Sequence, residues 1–255
     1  MNVKTIIAAL LAALPLAVPA WAEETQSISD ADLALYREGI NPAEVLRNTG
    51  GELFNKKMGP ENLSCADCHE GQKPKAKALT GAAAAYPKHN KNADRVMSLQ
   101  LQINNCVEKG IKAEPYKLNS AEITALTLYV KGLSNGMKVN VATNGPAQPW
   151  YEVGKQVYEQ RRGQRNLSCK TCHDELAGHT LRMQKLASIG AGASHWPAYR
   201  MVNGDTFLIE QRFKQCMSNA RMAPLKEGSD PMVALELYVT SLANGAAIET
   251  PGFVR

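Results

Sequence analysis

Cys65, Cys68 and His69, and again Cys169, Cys172 and His173, spell C-x-x-C-H twice in a chain of 255 residues. That spacing is the attachment pattern of a c-type haem. Two thiols one helical turn apart add to the haem vinyl groups as thioethers, and the adjacent imidazole reaches the iron from the same side. The sequence therefore predicts two covalently attached haem c groups, with His69 and His173 as iron ligands. A zinc ribbon is the rival for paired C-x-x-C, but its pairs stand about 15–20 residues apart. Here about a hundred residues separate them. A purely structural disulfide framework would leave both histidines without a role.

The motifs sit in a duplicated chain. NLSCADCH (62–69) matches NLSCKTCH (166–173), Tyr86-Pro87 matches Trp196-Pro197, and ITALTLYVKGLSNG (123–136) aligns with MVALELYVTSLANG (232–245) at a constant offset of 109. Apolar residues every three or four positions, Ile123, Leu126, Val130 and Leu133 with Met232, Leu235, Val239 and Leu242, predict an amphipathic helix in each copy. Asn119 with Glu122, and Asp230 with Pro231, read as its start, and Asn135-Gly136 and Asn244-Gly245 as its stop. The expected fold is all-α, two cytochrome c-like modules in tandem. Their expected bounds are 49–142 and 151–255, joined by a linker at 143–150 and preceded by an arm at 23–48.

Cys106 and Cys216 belong to no attachment motif. Each lies twenty residues after its module's aromatic-proline pair and about twenty before the LYV helix. In cytochrome c modules the second axial ligand enters there, so the pair is assigned as distal ligands, Cys106 to the first iron and Cys216 to the second. A single disulfide between the modules is the alternative, and Met217 or Met222 could replace Cys216. A thiolate ligand favours ferric iron and lowers the reduction potential. Aligned on these cysteines, Arg212 stands opposite Gln102 and Lys214 opposite Asn104, so only one copy is cationic beside its sulfur. On a helix Arg212 and Cys216 share a face. A guanidinium there suits the oxygens of a sulfur oxyanion and keeps the thiolate ionised, although a haem propionate or an ion pair would also satisfy it. Arg200 is a weaker candidate of the same kind, read as a propionate partner. His179 and His195 are expected at the surface or against haem propionates, and His89 at the surface.

Residues 1–22, with a basic start, an apolar run and Ala20 and Ala22 at its end, read as a cleaved secretory signal. No later stretch approaches membrane-spanning length, so the mature chain has no expected span and disulfides are permitted. Loss of Lys4 with the leader lowers the net charge from +5 to +4. Acidic and basic residues are well mixed, which gives no nucleic-acid stripe.

Paired C-x-x-C-H modules, a lone cysteine in each, and R-x-x-x-C in the second together resemble the SoxA family, cytochrome subunits of SoxAX complexes in bacterial sulfur oxidation. The resemblance covers essentially the whole mature chain. Retention of Cys65, Cys68 and His69 is similar to the two-haem form. It implies a periplasmic L-cysteine S-thiosulfotransferase partnered by the cytochrome SoxX, acting on thiosulfate and the carrier protein SoxYZ. It further implies that Cys216 is both iron ligand and catalytic residue, carrying a persulfide, and that Arg212 contacts substrate. A thiosulfate dehydrogenase releasing tetrathionate and a plain electron-transfer cytochrome stand as the other readings. A peroxidase would need an open iron position.

Overall fold

A computed structural model describes Gly39 and residues 41–71, 76–181 and 184–254. The expected signal segment, and the expected arm up to residue 38, lie outside the described residues. Among the described residues no helix is long and apolar enough to cross a membrane.

In the first module, helix α1 (Ala43–Asn55) leads to the short helix α2 (Cys65–His69), a hairpin of β1 (Lys88–Asn90) and β2 (Arg95–Met97), α3 (Leu99–Asn105) and α4 (Ala121–Gly132). Residues Cys106–Ile111 continue α3 as a π-helical turn. The second module repeats this with α5 (Gln148–Glu159), a π-helical turn at Thr171–Glu175, β3 (Ala198–Arg200), β4 (Asp205–Phe207), α6 (Ile209–Asn219) and α7 (Asp230–Ser241). A last strand, β5 (Gly252–Val254), pairs parallel with β3, while β4 pairs with it antiparallel. The fold is thus mostly helical, as expected, with short strands that periodicity over three residues could not announce. Helix α1 begins within the expected arm and α5 within the expected linker, because Pro42 and Pro149 fix φ for a helix start rather than for a loop.

Within each module the first helix crosses the last at a glycine. A Cβ on Gly50 would lie 2.1 Å from the Ala125 carbonyl oxygen, and one on Gly154 would lie 2.0 Å from that of Ala234. Only the absence of a side chain lets the backbones approach this closely. Tilted aromatic pairs seal both crossings, Phe54 with Tyr129 and Tyr158 with Tyr238, each with ring centroids 5.2 Å apart.

The modules join through reciprocal contacts. Gly136 N–H donates to the Ile248 carbonyl and Gly245 N–H to that of Val139, both at 2.9 Å. Val139 N–H meets the Ala246 carbonyl at 2.9 Å and Ile248 N–H that of Met137 at 2.8 Å. Asn135 brackets Thr250 through both its N–H and C=O, and Asn244 brackets Val141 in the same way. Every bond has a twin displaced by 109 residues, so the halves are related by a pseudo-twofold axis beside the Lys138–Ala247 bridge. The core continues across this joint, where Val96, Val139 and Val141 pack with Leu235, Val239 and Ile248.

This joint corrects the amphipathic reading of α4 and α7. In α7 every residue from Met232 to Thr240 except Glu236 falls in the buried class. Such a helix faces its own module on one side and the other module on the next, so almost no face is left for water. Its start also differs from expectation. Asn119 takes a left-handed turn at φ 58°, and Ser120 caps α4 by accepting Ile123 N–H. In the second copy Ser229 holds the cap position and Asp230 is already helical.

Candidate functional site

Each C-x-x-C-H is set at a capped turn. Ser64 Oγ accepts Asp67 N–H, and the Asp67 carboxylate accepts Ser64 N–H at 2.7 Å, a reciprocal box that fixes the start of α2. Ser168 and Thr171 exchange the same contacts in the second module. Cys65 and Cys68, like Cys169 and Cys172, are partly accessible thiols, and burial pushes Cys65 and Cys169 up to about 11.

The histidine rings are held from behind. His69 Nδ1 lies 2.7 Å from the Lys77 carbonyl and His173 Nδ1 lies 2.8 Å from that of Ala187. A backbone carbonyl can only accept, so Nδ1 carries the proton and Nε2 presents its lone pair to the pocket. The lone cysteine of each module is the histidine's other partner. Cys106 is within hydrogen-bond reach of His69, and Cys216 within reach of His173. All six cysteines are free, so the two lone thiols face their own histidines rather than each other. An imidazole with its Nε2 free of the backbone, a lone thiol within reach of it and two motif thiols in the same turn are a donor set whose chemistry suits a haem iron.

The two distal pockets differ in charge. In the first, Gln102 Nε2 donates to Cys106 Sγ at 3.3 Å, and Asn90 Nδ2 donates to Gln102 Oε1 at 2.9 Å. Burial pushes the Cys106 thiol up, but hydrogen bonds from His69 and Gln102 outweigh it and leave the group below the usual thiol range. In the second, residues 209–219 are helical, so Arg212 and Cys216 share a face as the four-residue spacing predicts. Burial again pushes the thiol up, and His173, then the charges of Arg212 and Arg200, bring it below the usual value. Arg212 Nη1 donates to Gln215 Oε1 at 2.9 Å. Lys214 is ion-paired with Glu227, so it leaves the sulfur to the arginines.

Arg200, the weaker candidate of the sequence, is only 5% exposed and near enough to act on Cys216. Two further features escaped the sequence reading. Fully buried Glu210 accepts the Gly228 N–H at 2.9 Å and contacts Glu236 across α6 and α7; burial and then the Glu210 charge push Glu236 well above the carboxylate range. The signal for that pair was a glutamate inside the apolar run of α7. His89, expected at the surface, has a side chain only 14% exposed and lies 3.5 Å from Asp94.

A profile of the SoxA/TsdA cytochrome c domain family matches twice, over residues 49–139 and 153–248. A SoxA subunit of L-cysteine S-thiosulfotransferase from Hydrogenobacter thermophilus is 38% identical over 88% of this chain and 86% of its own. Another, from Pseudaminobacter salicylatoxidans, is 34% identical over 83% and 72%. The crystal structure of SoxXA from P. pantotrophus superposes with a TM-score of 0.80 at 33% identity, covering 89% of this chain and 84% of that one. Cytochrome c domains bind haem covalently through such cysteine pairs. With a family profile spanning both modules and relatives above 30% identity along most of their length, the chain belongs to the SoxA family.

Proposed function

We propose that this protein is a periplasmic two-haem cytochrome that joins thiosulfate oxidatively to a cysteine of a carrier protein, with a SoxX-type cytochrome as its partner and electron outlet. The observation that carries the reading is the second distal pocket, where a thiol held below its usual range, a histidine and an arginine converge. His69 with Cys106, and His173 with Cys216, are the residues that would hold the two irons, and Cys65, Cys68, Cys169 and Cys172 the thiols that would attach the haems. Haem, when bound, supplies one-electron acceptance at each site.

The chain's own groups then account for the sulfur chemistry. Arg212 holds the sulfonate oxygens of thiosulfate by charge-assisted hydrogen bonds and turns the outer sulfur toward Cys216. The two sulfurs, both anionic, join as Cys216–S–S–SO₃⁻ with loss of two electrons, which leave one at a time toward the partner cytochrome. A thiolate on the carrier SoxYZ attacks the sulfur bonded to Cys216, forms carrier–S–S–SO₃⁻ and returns the Cys216 thiolate. The low thiol pKa matters twice, because Cys216 must enter as a thiolate and leave as one. The first pocket has a neutral amide where this one has a guanidinium, so it would hold its haem in a structural or residual role.

The test is the product. Purified two-haem protein given thiosulfate, an electron acceptor and the carrier should place a thiosulfonate group on the carrier cysteine. Tetrathionate as the main product would instead identify a thiosulfate dehydrogenase, and haem reduction with no sulfur product would leave a simple electron carrier.

A further inference from the structure

The pseudo-symmetry aligns Arg200 with Asn90, Arg212 with Gln102 and Cys216 with Cys106, all displaced by 110 residues. Asn90 and Gln102 are hydrogen-bonded to one another beside Cys106. At the same two places beside Cys216, both amides are arginines. Arg200 ends β3, only 5% exposed, and among the described residues neither arginine has a carboxylate within ion-pairing distance. The two guanidinium charges have, among those residues, only the Cys216 thiol close enough to offset them, and each disfavours the other, so a further anion is expected to face the pair.

The arginines are also tied together. Arg200 Nε donates to Asn203 Oδ1 at 3.1 Å, Gln215 Nε2 donates to the same oxygen at 3.0 Å, and Gln215 Oε1 accepts Arg212 Nη1 at 2.9 Å. Among the described residues this relay engages one donor of each guanidinium, so the others are open to a ligand. A haem propionate is the competing anion. Yet both modules carry the haem motif, while an arginine at this position accompanies only Arg212, so it tracks the oxyanion site rather than the haem. Resting on the proposed thiosulfate reaction, we infer that Arg200 is a second substrate-binding arginine, which with Arg212 forms a two-guanidinium clamp selective for a doubly charged sulfur oxyanion.

The test uses the full two-haem protein without carrier or electron acceptor and measures thiosulfate dissociation constants by calorimetry, with the midpoint potential of the second haem followed in parallel. Arg200→Gln should raise the constant about tenfold or more, with the visible spectrum little changed and a fall in potential no larger than loss of one charge near Cys216 produces, and Arg200→Lys, which keeps the charge, should recover part of the loss. If Arg200→Gln does not fold, the Arg200→Lys variant carries the test, because an ammonium lacks the planar fork and should still bind several-fold more weakly. An unchanged constant with a shifted potential would make Arg200 a propionate partner and overturn the inference. Arg212→Ala separates the two levels: if it binds weakly while Arg200→Gln binds normally, only the clamp is wrong. Normal binding by Arg212→Ala would remove the underlying reading itself.

Discussion

Replacing Cys216 with alanine should lower thiosulfate conjugation by about a thousandfold or more, the scale expected when the group that makes and breaks the covalent bond is removed. The equivalent change at Cys106 should leave turnover little altered, although both substitutions remove a sulfur from an equivalent place opposite a histidine. The contrast is the informative part. If these cysteines served only as iron ligands, both variants would act through potential and spectrum alone, and the first pocket would matter as much as the second. Steady-state conjugation rates, with haem content measured on each variant, give the comparison directly. Equal losses at the two cysteines would argue that neither sulfur takes part in chemistry.

Arg212→Ala has the second largest expected effect. Truncating one partner of a buried, charge-assisted contact costs about 2–4 kcal/mol, which corresponds to about 30- to 1,000-fold in kcat/KM. Most of the loss should fall on KM, because the sulfonate oxygens hold the same charge before and during sulfur–sulfur bond formation. A second component should reach kcat, since the guanidinium helps keep Cys216 ionised against burial. The sign of the pH dependence follows. Without Arg212 the thiol titrates higher, so the variant should regain activity as the pH is raised, whereas the unaltered protein holds its thiolate at lower pH. Visible spectra of both haems should persist, because Arg212 is bonded to Gln215 rather than to either histidine.

Much of this site was legible in the sequence because its chemistry is local. Two C-x-x-C-H motifs and R-x-x-x-C need only a helical turn to bring their members together, and the capped turns at Ser64 and Ser168 supply it. The duplication was equally plain, but its offsets are unequal: 104 residues at the haem motif and 110 at the lone cysteine, a difference of six inserted residues between His173 and Trp196. Helix starts were misplaced by a residue, since Asn119 and Ser120 are both cap formers and only the left-handed turn at Asn119 decides between them. Helix burial was misjudged for a larger reason. Periodicity registers one buried face, whereas α4 and α7 are covered on a second side by the opposite module. The nearness of Arg200 to Cys216 was hidden because the two stand sixteen residues apart in the chain and are brought together by a strand and a helix. The comparison of Asn90 with Arg200, at the same offset as Gln102 with Arg212, contained the signal.

The central claim is that Cys216 itself accepts the outer sulfur of thiosulfate. It is tested most directly by incubating the oxidised protein with thiosulfate labelled at that sulfur, in the absence of carrier, and mapping the label by peptide mass spectrometry under non-reducing conditions. The account predicts label on the peptide containing Cys216, released when carrier thiol is added. Label on Cys106, or a Cys216 that stays unlabelled while turnover continues, would contradict it.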